Sequence, residues 1–143
     1  MSEKKKLSVL IAEDDPDDQF LFRSAVIDAY KHVDLHIVAT GQQLISYLLQ
    51  KAVYAEKADN SKPDLILADL RTPFFNLSNI RELRIYSQFK NIPLYVFSIN
   101  ADRDEASSVI EAGGSGFYLK PATYHQLKSV IKEILKKTGL TSS

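Results

Sequence analysis

Five polar side chains stand where short apolar runs of this chain end: Glu13 and Asp14 after Leu7–Ala12, Asp69 closing Asp64–Asp69, Ser98 closing Leu94–Ser98, and Lys120 after Phe117–Leu119. Two adjacent carboxylates at the end of a buried strand repel one another unless a cation sits between them. Magnesium suits such a pair, since it is held by one or two carboxylates and completes its shell with water and phosphate oxygens. A third carboxylate facing the pair, with a hydroxyl and a fixed ammonium beside it, makes a place for an anionic group at an aspartate. Aspartyl-phosphate chemistry requires that set: a carboxylate nucleophile, a divalent ion, and donors for the phosphoryl oxygens.

Each residue also has a plainer reading. Glu13, Asp14, Asp15, Asp17 and Asp18 put five acids into six positions, and acids at a helix N-terminus suit its dipole by about 0.3–1 kcal/mol each. That accounts for Asp15, Asp17 and Asp18 but not for Glu13 and Asp14, which precede the cap. Taken singly, Asp69 reads as a strand-end carboxylate, Ser98 as a hydroxyl bonded to local backbone, and Lys120 as a solvated cation. Their shared placement is what favours chemistry. His32, His36 and His125 have no ligand or triad spacing. Gly113-Gly-Ser-Gly116 lacks a phosphate-loop fingerprint and follows a helix rather than a strand. Lys128, Lys132, Lys136 and Lys137 read as the solvated face of the last helix.

The elements that must position these side chains follow from periodicity. Leu7–Ala12, Leu35–Ala39, Asp64–Asp69, Leu94–Ser98 and Phe117–Leu119 are the strand candidates. Most are nearly continuous apolar runs, as expected of parallel strands covered on both faces. Helical spacing lies between them, for example at Phe20, Leu21, Ala25, Val26 and Ala29. Asp15-Pro16 supplies a cap followed by proline at the first helical position. Thr40–Gln43 and Thr123–Gln126 have capping-box spacing, Asp102 can cap a helix ending at Gly113, and Gly139 stops the helix that begins near Thr123. The third helix, about Leu77 to Phe89, has no clear cap. Tyr54–Lys62 reads as a surface loop. The pattern is α/β: five βα units that right-handed crossovers wind into a doubly wound parallel sheet with five helices. Ligands in such sheets bind outside the carboxyl ends of the strands, where the five side chains fall.

The chain has 143 residues, enough for one domain, and its 45% hydrophobic and 25% charged content is ordinary for a globular protein. We read residues 1–143 as a single domain with its core at about 7–138 and no effector domain. Lys+Arg and Asp+Glu are both 18, so there is no basic excess of the kind a nucleic-acid binder shows. The absence of cysteine excludes disulfide scaffolds, thiolate zinc sites and cysteine nucleophiles. The apolar run behind Lys4–Lys6 is too short for an export signal, and no run is long enough for a membrane span. The expectation is a cytoplasmic protein that binds neither nucleic acid nor membrane.

At this point the chain resembles the stand-alone, CheY-like receiver domain of bacterial two-component response regulators. The matching pieces are Val9–Pro16 (VLIAEDDP), Pro63–Asp69 (PDLILAD) with Pro73 four residues on, Ile92–Ser98 (IPLYVFS), and Gly113–Pro121 ending in Lys120-Pro121. The resemblance implies a flavodoxin-like strand order 2-1-3-4-5 and a phosphorelay function. It makes Asp69 the phosphoacceptor, and Glu13 and Asp14 the acidic pair that holds Mg²⁺ with Asp69. Arg71 would offer its backbone carbonyl to the metal. Ser98 and Lys120 would take the phosphoryl oxygens, and Phe117 would be the aromatic switch that turns inward as Ser98 moves. A sensor histidine kinase or phosphotransfer protein would donate the phosphoryl group, and a downstream protein would read the surface around the fourth helix, fifth strand and fifth helix. That same face is a route to a homodimer. The implied role is signalling rather than enzymatic, beyond promoting its own phosphotransfer and dephosphorylation.

Three positions depart from the family pattern. Ile99 stands where a small residue is usual, and its bulk is expected to screen Asp69. Leu77 replaces a common turn glycine, so Phe74–Asn79 is expected to take its own path, with Phe74 and Phe75 as exposed-apolar candidates that form either a local packing cluster or a partner contact. Arg71 is expected to reach the phosphoryl group or to pair with Glu13. Two other readings compete: a phosphorylation-independent pseudo-receiver that acts as a protein-interaction module, and a flavodoxin-like or hydrolytic enzyme. Against the latter stand the missing phosphate loop and the lack of a second aspartate two residues after Asp69.

Overall fold

Successive side chains of a strand leave on opposite faces of its sheet, and here both faces are apolar. The computed structural model describes residues 6–54, 62–71, 74–99 and 102–141. The chain runs β1 (Leu7–Ala12), α1 (Pro16–Ala29), β2 (Val33–Val38), α2 (Gly41–Tyr54), β3 (Leu65–Asp69), α3 (Leu77–Ile85), β4 (Leu94–Ser98), α4 (Arg103–Ala112), β5 (Gly116–Leu119) and α5 (Tyr124–Lys137). The five strands are all parallel, in the order β2-β1-β3-β4-β5. Val9, Ile11, Leu65, Leu67, Tyr95 and Phe97 pack on one face against Phe22 and Val26 of α1 and Leu127 and Ile131 of α5. Leu10, Ala12, Ile66, Ala68, Leu94 and Val96 pack on the other against Leu44 of α2, Ile80 of α3 and Val109 of α4.

The helix starts are capped by side chains. The Asp15 carboxylate accepts from the Asp18 amide at 2.9 Å with Pro16 at the first helical position. Thr40 and Thr123 cap α2 and α5. Their Gln43 and Gln126 side chains accept from the amides of Ala39 and Ala122, one residue before each cap. Asp102 caps α4 through the Asp104 amide, and Gly113 ends that helix at φ 121°.

The third helix differs from expectation. It has a cap, Asn76, closed reciprocally with Asn79, and it ends at Ile85 rather than Phe89. Tyr86 takes extended backbone, and Phe89 reaches the core from the turn that follows. The second strand begins at Val33, two residues before the expected start, because Asp34 and His36 face outward on an edge strand. Most of the Tyr54–Lys62 loop lies outside the described residues, as does Pro73. Among the described residues no helix is long and apolar enough to cross a membrane.

Candidate functional site

Register and side-chain parity assemble the site. Ala12 pairs with Ala68, so Glu13 and Asp69 emerge side by side at the carboxyl ends of β1 and β3, where strand order reverses. Ser98 pairs with Leu119, which brings Lys120 alongside the end of β4. Glu13 and Asp69 share the parity of Ile11 and Leu67 and so face the α1 side. Ser98 shares the parity of Val96 and faces the α4 side. All three are buried.

Lys120 is the hub. Its Nζ donates to Oδ2 of Asp18 at 2.7 Å, to Oδ2 of Asp69 at 3.0 Å and to Oε1 of Glu13 at 3.4 Å. An ammonium has three protons, and here each meets a different carboxylate. Burial alone would pull the lysine down, but the bonds to Asp18 and Asp69 outweigh it and hold its pKa above the ordinary lysine range. Burial and the neighbouring Asp69 carboxylate push Glu13 up to about 7. Burial also raises Asp69, against the opposing pull of Lys120. The Glu13 carboxylate accepts in addition from the Asp15 amide at 3.1 Å, and its backbone carbonyl accepts from the Gln19 side chain at 2.7 Å, so α1 fixes its orientation.

Glu13, Asp14 and Asp69 each offer an oxygen within 4.8 Å of the others. Hard oxygen donors in that number suit Mg²⁺ or another hard divalent cation. The Arg71 carbonyl accepts from the Phe75 amide at 2.8 Å in an isolated antiparallel bridge. The Arg71 guanidinium stands 3.8 Å from Asp14 rather than beside Glu13, which corrects the pairing expected from sequence. A cleft of about 810 Å³ opens over these groups, lined by Asp69, Arg71, Ser98, Ile99, Glu105 and Lys120 among others. In it the Ser98 hydroxyl donates to Glu105 Oε1 at 2.6 Å.

Comparison with known proteins places this arrangement. No family model matches the chain. It is 25% identical over 100 residues to the transcriptional regulatory protein PrrA of Mycobacterium leprae, covering 69% of this chain and 42% of that protein. It is 28% identical over 82 residues to the chemotaxis protein CheY1 of Helicobacter pylori, covering 56% of this chain and 66% of CheY1. The chain thus spans less than half of the first of these relatives. The crystal structure of the phosphorylated cyanobacterial phytochrome response regulator RcpA superposes with a TM-score of 0.81 at 25% identity, covering 97% of each chain. The chain has the fold of response-regulator receiver domains and is similar to them in sequence.

The fold brings together Glu13, Asp14, Asp69 and Lys120, with Ser98 and Arg71 on the same cleft. Phe117 is half-buried against the core on the α4 side, the face to which Ser98 points. Ile99 is 77% exposed and lines the same cleft as Asp69. Of the two phenylalanines, Phe74 is 41% exposed, while Phe75 is a core residue at 2%, the packing alternative, and is bridged to Arg71. Two contributors were not legible as such. Asp18 reads as a dipole acid, yet it makes the shortest contact to Lys120, one helical turn beyond its cap. Glu105 has a signal only in hindsight of the fold: it lies three residues after the Asp102 cap, on the helix that follows Ser98.

Proposed function

We propose that this receiver is a phosphoacceptor module, phosphorylated on Asp69 with Mg²⁺ and read by a protein partner. The observation that carries the reading is Lys120 Nζ at 3.0 Å from Asp69 Oδ2, beside three carboxylates whose oxygens lie within 4.8 Å of one another. A carboxylate oxygen of Asp69 attacks phosphorus, and the bond from phosphorus to the donor nitrogen breaks. That nitrogen leaves as the imidazole of a kinase or phosphotransfer-protein histidine, or as ammonia from phosphoramidate, taking up a proton. Glu13, Asp14, Asp69 and the Arg71 carbonyl would hold the cation, which neutralises charge developing on the phosphoryl oxygens. Lys120 supplies a fixed cation to the same oxygens and Ser98 a hydroxyl donor. The receiver is itself the switch: Ser98 moves toward the phosphoryl group, Phe117 follows, and the face of α4, β5 and α5 changes for a downstream protein. RcpA, to which it is similar along its length, is known in a phosphorylated form.

The test is intact mass after incubation with Mg²⁺ and phosphoramidate. One added phosphoryl group on the wild type and none on Asp69→Asn is the expected result. No addition to the wild type, together with no binding of beryllofluoride, overturns the reading. It would favour a phosphorylation-independent interaction module, a view that the guanidinium of Arg71 beside Asp14 supports, since it partly neutralises a ligand without metal.

A further inference from the structure

The Ser98 hydroxyl is buried at the end of β4 and donates to Glu105 at 2.6 Å, within the range of a hydrogen bond strengthened by an ionised acceptor. Glu105 is the third residue of α4 behind the Asp102 cap. A glutamate there commonly reaches back to the backbone of its cap. In this chain it reaches instead into the cleft that Asp69, Ser98 and Lys120 line. We propose that Glu105 is a positioning residue that holds the Ser98 hydroxyl in the unphosphorylated protein, so that a phosphoryl group on Asp69 must take this donor from it and in doing so releases the first turn of α4. The inference rests on the phosphoacceptor reading of Asp69.

The argument is one of proton count and charge. A serine hydroxyl carries a single proton, so Ser98 can donate to Glu105 or to a phosphoryl oxygen but not strongly to both. The phosphoryl group also brings negative charge into the cleft that holds the Glu105 carboxylate, and like charges in a partly buried cleft repel. Both effects act on the same turn. That turn begins a helix whose Val109 and Ala112 are buried in the cluster against which Phe117 packs. Loss of one hydrogen bond at Glu105 therefore reaches the α4 and β5 surface through α4 itself, alongside the path through Phe117.

The test titrates beryllofluoride with Mg²⁺, as a phosphoryl mimic, into the wild type and a set of variants, followed by amide NMR. Glu105→Ala should bind the mimic roughly tenfold more tightly, the scale of one hydrogen bond to a charged acceptor. Asp104→Ala is the control for charge alone, because Asp104 lines the same cleft and is exposed. Its effect should be clearly smaller. In a Ser98→Ala background, removing Glu105 should do no more than removing Asp104. In the ligand-free protein, Ser98→Ala and Glu105→Ala should each lower amide-exchange protection in the first turn of α4. The inference is overturned, with the phosphoacceptor reading intact, if Glu105→Ala and Asp104→Ala tighten binding equally, if the Glu105 effect persists without Ser98, or if protection is unchanged. Failure of every variant, wild type included, to bind the mimic overturns the reading and the inference together.

Discussion

At the scale of the residue, the site is an excess of acid around one ammonium, and that excess has a sign that can be measured. Glu13 is held up to about 7 from an ordinary value of 4.5, by burial first and by Asp69 second. Between those two values the folded protein keeps a proton that the unfolded chain has released, so stability falls as pH rises. The stabilisation is fully present below about pH 4.5 and is lost as pH passes the folded value. Asp69 is raised too and acts in the same direction. Metal-free protein should therefore melt at lower temperature at about pH 8 than at about pH 5, and Glu13→Gln should flatten that slope and raise the melting temperature at the higher pH. A melting temperature that climbs over the same interval would contradict the account. Glu13, Asp14, Asp69, Ser98 and Lys120 were legible in the sequence because each closes or follows an apolar run. Asp18 and Glu105 were not, because their partners Lys120 and Ser98 lie across the sheet edge on other elements, and both acids have a sufficient local reason to stand in a first helical turn.

At the scale of the element, the ends of α3 and α4 are fastened by one half-buried cation. Arg84 Nε donates to the Gly113 carbonyl at 2.9 Å, and its Nη1 donates to the Phe89 carbonyl at 2.9 Å. Burial lowers the Arg84 pKa from its usual value, but a guanidinium keeps its charge at any working pH. Gly113 sits at φ 121°, and a Cβ there would lie 2.5 Å from Arg84 Cγ. Gly113→Ala should destabilise the protein by about 1–3 kcal/mol in urea unfolding, from backbone strain and from displacement of Arg84 together. Gly139 also has positive φ, 77°, but nothing lies within 4 Å of its Cβ position. Gly139→Ala should cost only the conformational part, about 1 kcal/mol. Equal losses at the two positions would show that Arg84 yields without cost. The same region explains what the sequence left hidden among the elements. Asn76 and Asn79 form a capping box without the glutamate or glutamine that marks one, so α3 seemed uncapped. Phe89 extended the apparent helical period, although it is buried from a turn.

At the scale of the whole molecule, periodicity yields five βα units and crossover handedness a doubly wound sheet, but neither says on which side of β1 the third strand joins. The order 2-1-3-4-5 came with the family resemblance, and it is the order observed. It matters because a reversal beside β1 is what sets Glu13 and Asp14 against Asp69. The fold gathers these carboxylates at a cost to its own stability, and a divalent cation that binds the folded state alone should return it. Free cation at ~100 Kd adds about 2.7 kcal/mol by mass action. Mg²⁺ or Mn²⁺ should therefore raise the melting temperature at neutral pH, EDTA should reverse the rise, and Asp14→Asn should weaken it. Arg71 makes the prediction sharper. Its side chain lies 3.8 Å from Asp14 and is half exposed, while its carbonyl points to the bridge with Phe75. Arg71→Ala removes the competing cation and keeps the carbonyl, so Mg²⁺ should bind up to about fivefold more tightly, the range of one exposed ion pair. Weaker binding in Arg71→Ala would mean that the guanidinium orders Asp14 for the metal rather than opposing it, and would assign Arg71 to the site as a support.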